Sequence, residues 1–264
     1  MGFISGAAAQ IAGQRALRLH ISANQMANEG KVEAATEKYA QARTLYEQAM
    51  RERLAPPNVR LGYSVLLLRS GEFEKAHDVM QDMRTIKQMT EENWFELRLN
   101  YSTYLWKTGK LDEALETIRR AAKFKMNSAI YTTMGMYLVD KARLTGDFAE
   151  VQAFSAQAMD YDDEDGGTLD NVAAMYEAMS EQARDGGDAE QASAYRAQAR
   201  TYYEKAHERK PRQITTIYAL AKLLYEDGEV DRARSLLSGT DDLYYSALCP
   251  VTREMMEALK RTVG

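Results

Sequence analysis

One hexapeptide pattern, present six times, constrains this chain more than any other feature. The copies are Gly30-Lys-Val-Glu-Ala-Ala35, Gly71-Glu-Phe-Glu-Lys-Ala76, Gly109-Lys-Leu-Asp-Glu-Ala114, Gly146-Asp-Phe-Ala-Glu-Val151, Gly187-Asp-Ala-Glu-Gln-Ala192 and Gly228-Glu-Val-Asp-Arg-Ala233. Their glycines stand 41, 38, 37, 41 and 41 residues apart, and a fixed period of that size is the mark of a stacked-repeat fold. Each position has a physical reason. A glycine closes a helix because the residue past its last turn takes a positive φ. Acidic residues just after it favour the next helix's N-terminus through the dipole. The apolar residue two places on pins the new helix to the old one, and the small residue five places on lets antiparallel helices approach to close packing. Each unit therefore reads as an αα-hairpin.

The flanking sequence agrees. Leu61, Tyr63, Leu67 and Leu68 precede Gly71, and Met80 and Met83 follow Ala76; Leu97, Tyr101, Leu105 and Trp106 precede Gly109, and Ile118 and Ala121 follow Ala114. These are the i, i+3, i+4, i+7 faces of amphipathic helices. Alanine is abundant, proline numbers only four, and no alternating Val/Ile/Thr run reads as a strand, so the expectation is all-α.

The small residues before each turn (Ser64, Ser102, Gly135, Ala221), the turn glycine, the small residue beyond it, and Tyr203-Glu-Lys-Ala206 followed by Pro211 resemble the tetratricopeptide repeat (TPR) family over roughly residues 16–247. The resemblance implies a right-handed α-solenoid of about six TPR-like hairpins. It implies a non-enzymatic protein–protein interaction scaffold that holds a peptide or helical segment of a partner in the groove formed by the leading helices. The family period is about 34 residues, and every spacing here is longer. Both Tyr39-x-x-Ala42 and Tyr46-x-x-Ala49 fit the late-hairpin motif, which reads as an extra heptad in the first unit's second helix, and the fifth unit repeats it between Ala192 and Tyr203. The fourth and fifth units carry an extra turn in their first helix. A Sel1-type repeat is the nearest rival, but its glycine-containing extra loop is absent.

The expected organisation is an N-terminal helix extension over 1–15, hairpins over about 16–55, 57–90, 95–127, 128–166, 169–211 and 214–247, and a C-terminal capping helix over 248–264 that hides the last apolar face. Phe3 to Met26 reads as one long helix. In the cap, Pro250 suits a first helical turn, with Val251, Met255, Leu259 and Thr262 as the packing stripe. The acidic run Asp160–Asp165 reads as the most polar linker within what is expected to be one domain.

No catalytic set is present. His20, His77 and His207 lie far apart in a fold whose distant repeats do not touch, and Cys249 has no nearby histidine and reads as a small buried residue. Counting an EF-hand loop from Asp160 puts Asp165 where glycine belongs and Asn171 where glutamate belongs, so no calcium loop is expected. No phosphate-binding glycine loop, metal or cofactor is expected. A net charge of −5 argues against nucleic acid as the main partner. The single cysteine fits a reducing, cytoplasmic compartment. No apolar run is long enough to span a membrane, and contact with one is not expected.

Mapping the family's groove positions onto this chain gives Asn24 from the first unit, Asn58, Leu61, Val65 and Leu68 from the second, and Leu99, Thr103 and Trp106 from the third. It gives Met136 and Val139 from the fourth, and Tyr218, Lys222 and Tyr225 from the sixth. An apolar groove with an aromatic suits an extended peptide or an amphipathic helix. The clamp that some members use for acidic C-terminal tails falls on His20, Asn24, Gly62, Glu96 and Asn100, of which only Asn24 fits, so such tails are not expected as ligands. The alternative reading is a structural homo-oligomer or a membrane-peripheral adaptor, assembled through the small-residue N-terminal helix of Gly6, Ala7, Ala8, Ala9, Ala12 and Gly13.

Overall fold

The computed structural model describes the backbone of residues 2–51, 55–87 and 89–264, and the side chains of the same residues from 7 onward. The described residues form helices and no strands. Six antiparallel pairs follow in order: α1 (Gly2–Asn28) with α2 (Val32–Arg51), α3 (Pro57–Arg69) with α4 (Phe73–Met83), α5 (Glu91–Lys107) with α6 (Leu111–Ala122), α7 (Ser128–Thr145) with α8 (Ala149–Tyr161), α9 (Gly166–Asp185) with α10 (Ala189–Arg209), and α11 (Ile214–Glu226) with α12 (Val230–Ser238). A last helix, α13 (Arg253–Val263), packs on α11 and α12.

All six repeat glycines take a left-handed conformation, with φ between 73° and 82°. In five of them the following N–H reaches back five residues, as from Lys110 to the Leu105 carbonyl at 2.8 Å, and so satisfies an orphan acceptor at the helix end. Gly146 instead makes the simpler closure, donating to the Ala142 carbonyl at 2.8 Å. The small residue five places after each glycine (Ala35, Ala76, Ala114, Val151, Ala192, Ala233) is buried in every copy.

The long period has its expected source. α2 and α10 run 20 and 21 residues, where α4, α6, α8 and α12 run 9 to 13. Both tyrosines and both alanines of the doubled motif in α2 are buried. α7 and α9, at 18 and 20 residues, are longer than α3 and α11, at 13 each.

The chain divides into two compact units. The first comprises Met1–Phe124 with Asp242–Leu248, and the second Lys125–Asp241 with Cys249–Gly264. The single domain expected from the sequence is thus replaced by two units that part between the third and fourth hairpins. The acidic run at 160–165 is not the dividing point. Asp165 caps α9 by accepting from the Thr168 N–H at 2.8 Å, and Glu164 and Asp165 pair with Arg209 and Lys210 at 2.6 and 2.9 Å.

In the first unit, glycines set the approach of α1, α2 and α3. A Cβ on Gly13 would lie 2.7 Å from a Val59 methyl, and one on Gly62 would meet Leu17 and the Tyr46 hydroxyl. Ala9, Ala12 and Ala16 are buried on that side of α1, whereas Ala7 and Ala8 are exposed. In the second unit, α13 starts later than expected. Thr252 is its N-cap, accepting from the Met255 N–H at 3.3 Å, so Pro250 lies outside the helix. Its packing stripe is Met256, Leu259 and Val263, while Met255 and Thr262 face solvent. Cys249 is half-buried rather than fully enclosed.

Candidate binding surface

The groove positions lie on the leading helices. In the first unit, Val65 of α3 and Leu99, Thr103 and Trp106 of α5 are half-buried, and Asn58 is exposed at the start of α3. α3 and α5 pack directly on each other, so these side chains share one surface. The Lys107 ammonium stands 4.5 Å above the Trp106 ring, holding the indole by a cation–π contact. In the second unit, Met136 on α7 and Tyr218, Lys222 and Tyr225 on α11 are half-buried.

Three groove positions need correction. Leu61, Leu68 and Val139 are 8, 1 and 3% exposed and belong to the core. The broad apolar stripe of a solenoid helix serves packing between neighbouring hairpins as well as the outer face, and these three fall on its packing side. Asn24 is half-buried and already engaged, since its Oδ1 accepts from the Tyr39 hydroxyl at 2.7 Å.

The clamp positions are engaged within the fold or acidic. His20 is buried, its Nδ1 3.3 Å from the Tyr46 hydroxyl. Burial and the nearby Arg69 charge lower its pKa to about 4, so the ring is neutral near pH 7. Asn100 is buried and donates to the Ser64 hydroxyl at 3.3 Å, and Glu96 is exposed and acidic.

The leading helices of the second unit carry a polar seam that the sequence reading missed. The Asn171 amide donates to the Thr132 carbonyl at 2.7 Å, and the hydroxyls of Thr215 and Thr216 donate to the two Asp170 oxygens at 2.9 and 2.6 Å. Desolvation raises the Asp170 carboxyl above its ordinary range against those hydrogen bonds. Nearby, the buried Tyr203 hydroxyl donates to Glu177 at 2.8 Å. These hydrogen bonds tie the leading helices α7, α9 and α11 together and anchor α10 to α9. Among the described residues no cluster of His, Cys, Asp or Glu could hold a metal ion, and no helix is long and apolar enough to cross a membrane.

The segment 242–248 was also assigned differently by sequence. Read there as the end of the sixth hairpin and the start of the cap, it packs in the first unit. The Tyr244 ring lies 5.0 Å from that of Tyr39, and the Arg69 guanidinium covers both rings at 5.6 and 5.7 Å. The Ala247 N–H donates to the Arg69 carbonyl at 2.9 Å, and Gly71 provides the clearance, since a Cβ there would stand 3.3 Å from that of Ala247. The sequence signal is the apolar character of this loop, with adjacent Tyr244 and Tyr245 between Leu243 and Ala247-Leu248.

No family model and no curated protein matches this sequence. Solved structures do match. The human IFIT1 dimer with PPP-AAAA aligns with a TM-score of 0.61 and 18% identity over 84% of this chain and 49% of that one, so the chain spans about half the length of IFIT1. TTC0263, a thermophilic TPR protein of Thermus thermophilus, aligns at 0.51 and 19% over 81% and 99%. PilF of Pseudomonas aeruginosa aligns at 0.54 and 13% over 95% and 97%. At such identities the likeness is one of fold.

Proposed function

We propose, on the basis of a fold shared with tetratricopeptide-repeat proteins, that this chain is a non-enzymatic interaction scaffold that binds a peptide or helical segment of another protein on the face of its leading helices. The observation that carries the reading is the partly exposed row of Val65, Leu99, Thr103 and Trp106 on two directly packed helices. Aliphatic and aromatic anchors at helical spacing suit an extended or helical peptide better than a charged tail. The buried, neutral His20 and the acidic Glu96 oppose a terminal carboxylate. The net charge of −5 favours protein over the kind of nucleic-acid ligand present in the IFIT1 structure.

Of the small-residue run behind the homo-oligomer alternative, Ala9, Ala12 and Gly13 are covered within the chain and Ala7 and Ala8 are exposed, so that run is not free as a whole to form a seam. The test is the double change Val65→Ala with Trp106→Ala. Both side chains are half-buried, so helicity by circular dichroism is expected to persist while a partner captured by the wild-type chain is lost. Equal capture by the double variant would overturn the assignment of the groove.

A further inference from the structure

A second concave site lies on the opposite side of α5 from the proposed groove. Trp94, Leu97, Arg98 and Tyr101 follow one another at i, i+3, i+4 and i+7, and so form a single stripe. At 100° per residue that stripe points away from Leu99, Thr103 and Trp106. With Arg84 at the end of α4 and Thr117 and Arg120 of α6 it lines a cleft of about 310 Å³. That volume is at the lower end of small-ligand sites.

Three guanidinium groups border this cleft in a protein of net charge −5. Arg120 is paired with Glu116 on its own helix. Arg84 and Arg98 have no carboxylate partner among the described residues and instead lie over aromatic rings, Arg84 at 4.8 Å from the centre of Tyr101 and Arg98 at 5.8 Å from that of Trp94. A guanidinium resting on a ring keeps its in-plane N–H donors available, and two of them bordering one cleft suit the several acceptor oxygens of a phosphate ester. The walls between them are indole, phenol and a leucine, which suit a flat apolar ring.

We infer that this cleft binds the phosphotyrosine side chain of a partner protein, with the phenyl ring against Trp94 and Tyr101 and the phosphate on Arg84 and Arg98. The neutral hydrogen-bonding side chains of the lining are the Thr117 and Tyr101 hydroxyls and the Trp94 indole N–H, which can only donate, and the Tyr101 hydroxyl already accepts from the Gln81 amide at 3.4 Å. A nucleobase would bury edge donors and acceptors with too few partners, at a cost the phenyl ring avoids. Phosphoserine would leave the aromatic walls unfilled. The site is separate from the groove, and neither proposal requires the other.

The test is titration of the full-length ¹⁵N-labelled chain with phenyl phosphate, followed by NMR at the indole N–H of Trp94 and the Nε–H of Arg84 and Arg98. Inorganic phosphate, phenol, O-phosphoserine and ATP are titrated in parallel. Phenyl phosphate is expected to shift all three signals saturably, and at least about tenfold more tightly than phosphate or phenol alone, since only it engages both halves of the site. The double variant Arg84→Gln with Arg98→Gln is expected to lose that binding by at least about tenfold with unchanged helicity. The absence of saturable shifts, equal binding of inorganic phosphate or O-phosphoserine, tighter binding of ATP, or full binding by the double variant would each overturn the proposal.

Discussion

His20 shows how a residue that looks like chemistry in the sequence becomes structure in the fold. Its ring is enclosed by α1, α2 and α3, edge-on to Tyr39 and Tyr46 with centroids 5.8 and 6.0 Å away. Burial is the larger cause of its lowered pKa and the Arg69 charge the smaller. The unfolded chain takes up a proton near pH 6.5, whereas the folded chain resists until about pH 4. The stabilisation is therefore complete above pH 6.5 and is lost as pH falls towards 4, with a size on the order of 3 kcal/mol. Subtracting the stability of His20→Gln from that of the wild type across this window, by denaturant titration, should isolate the slope; a flat difference would show that the ring is solvated. Residue-scale reading from sequence succeeded where chemistry is local. The six glycines at positive φ were legible because each one ends a helix whatever surrounds it. Leu61, Leu68 and Val139 were not, because periodicity gives the direction of a side chain from its helix axis and not the depth of what is packed over it.

At the scale of the element, the hairpins and their lengths were readable because each depends on contacts within about forty residues of sequence. The doubled Tyr-x-x-Ala motif announced the length of α2, and Tyr39, Ala42, Tyr46 and Ala49 are all in the core. The start of α13 was misread because Pro250 and Thr252 both offer an N-terminal signal. The Thr252 side-chain cap prevails and moves the packing stripe to Met256, Leu259 and Val263. The turns permit a clean measurement. Gly109 has φ of 80° and no atom within 4 Å of a built Cβ, so Gly109→Ala adds no clash. Its whole cost is the left-handed backbone, about 1–2 kcal/mol. Gly109→Asn should lose less, because asparagine tolerates that conformation better than alanine. Chemical denaturation of the two variants should rank them in that order, and a neutral alanine would mean that the turn can relax to negative φ.

For the whole molecule, the pattern of neighbour-on-neighbour hairpins misses one long-range connection. A solenoid is expected to be stabilised by each repeat and its neighbours, with folding energy nearly additive along the chain. Segment 242–248 departs from this, since it follows the sixth hairpin in sequence yet packs on residues of the first and second. No local pattern in a loop reports a contact so far upstream. The contact makes a prediction that strict neighbour additivity does not. Tyr244→Ala removes a ring stacked beside Tyr39 and capped by Arg69, and should cost about 1–2 kcal/mol. That loss should appear in hydrogen exchange as faster opening of α2 and of the last turn of α3, and of the Ala247 amide that donates to the Arg69 carbonyl. Tyr244→Phe keeps the ring and should leave those rates near the wild type. Exchange that accelerates only beside residue 244, with α2 and α3 unmoved by the alanine, would show that the segment rests on the first unit without stabilising it.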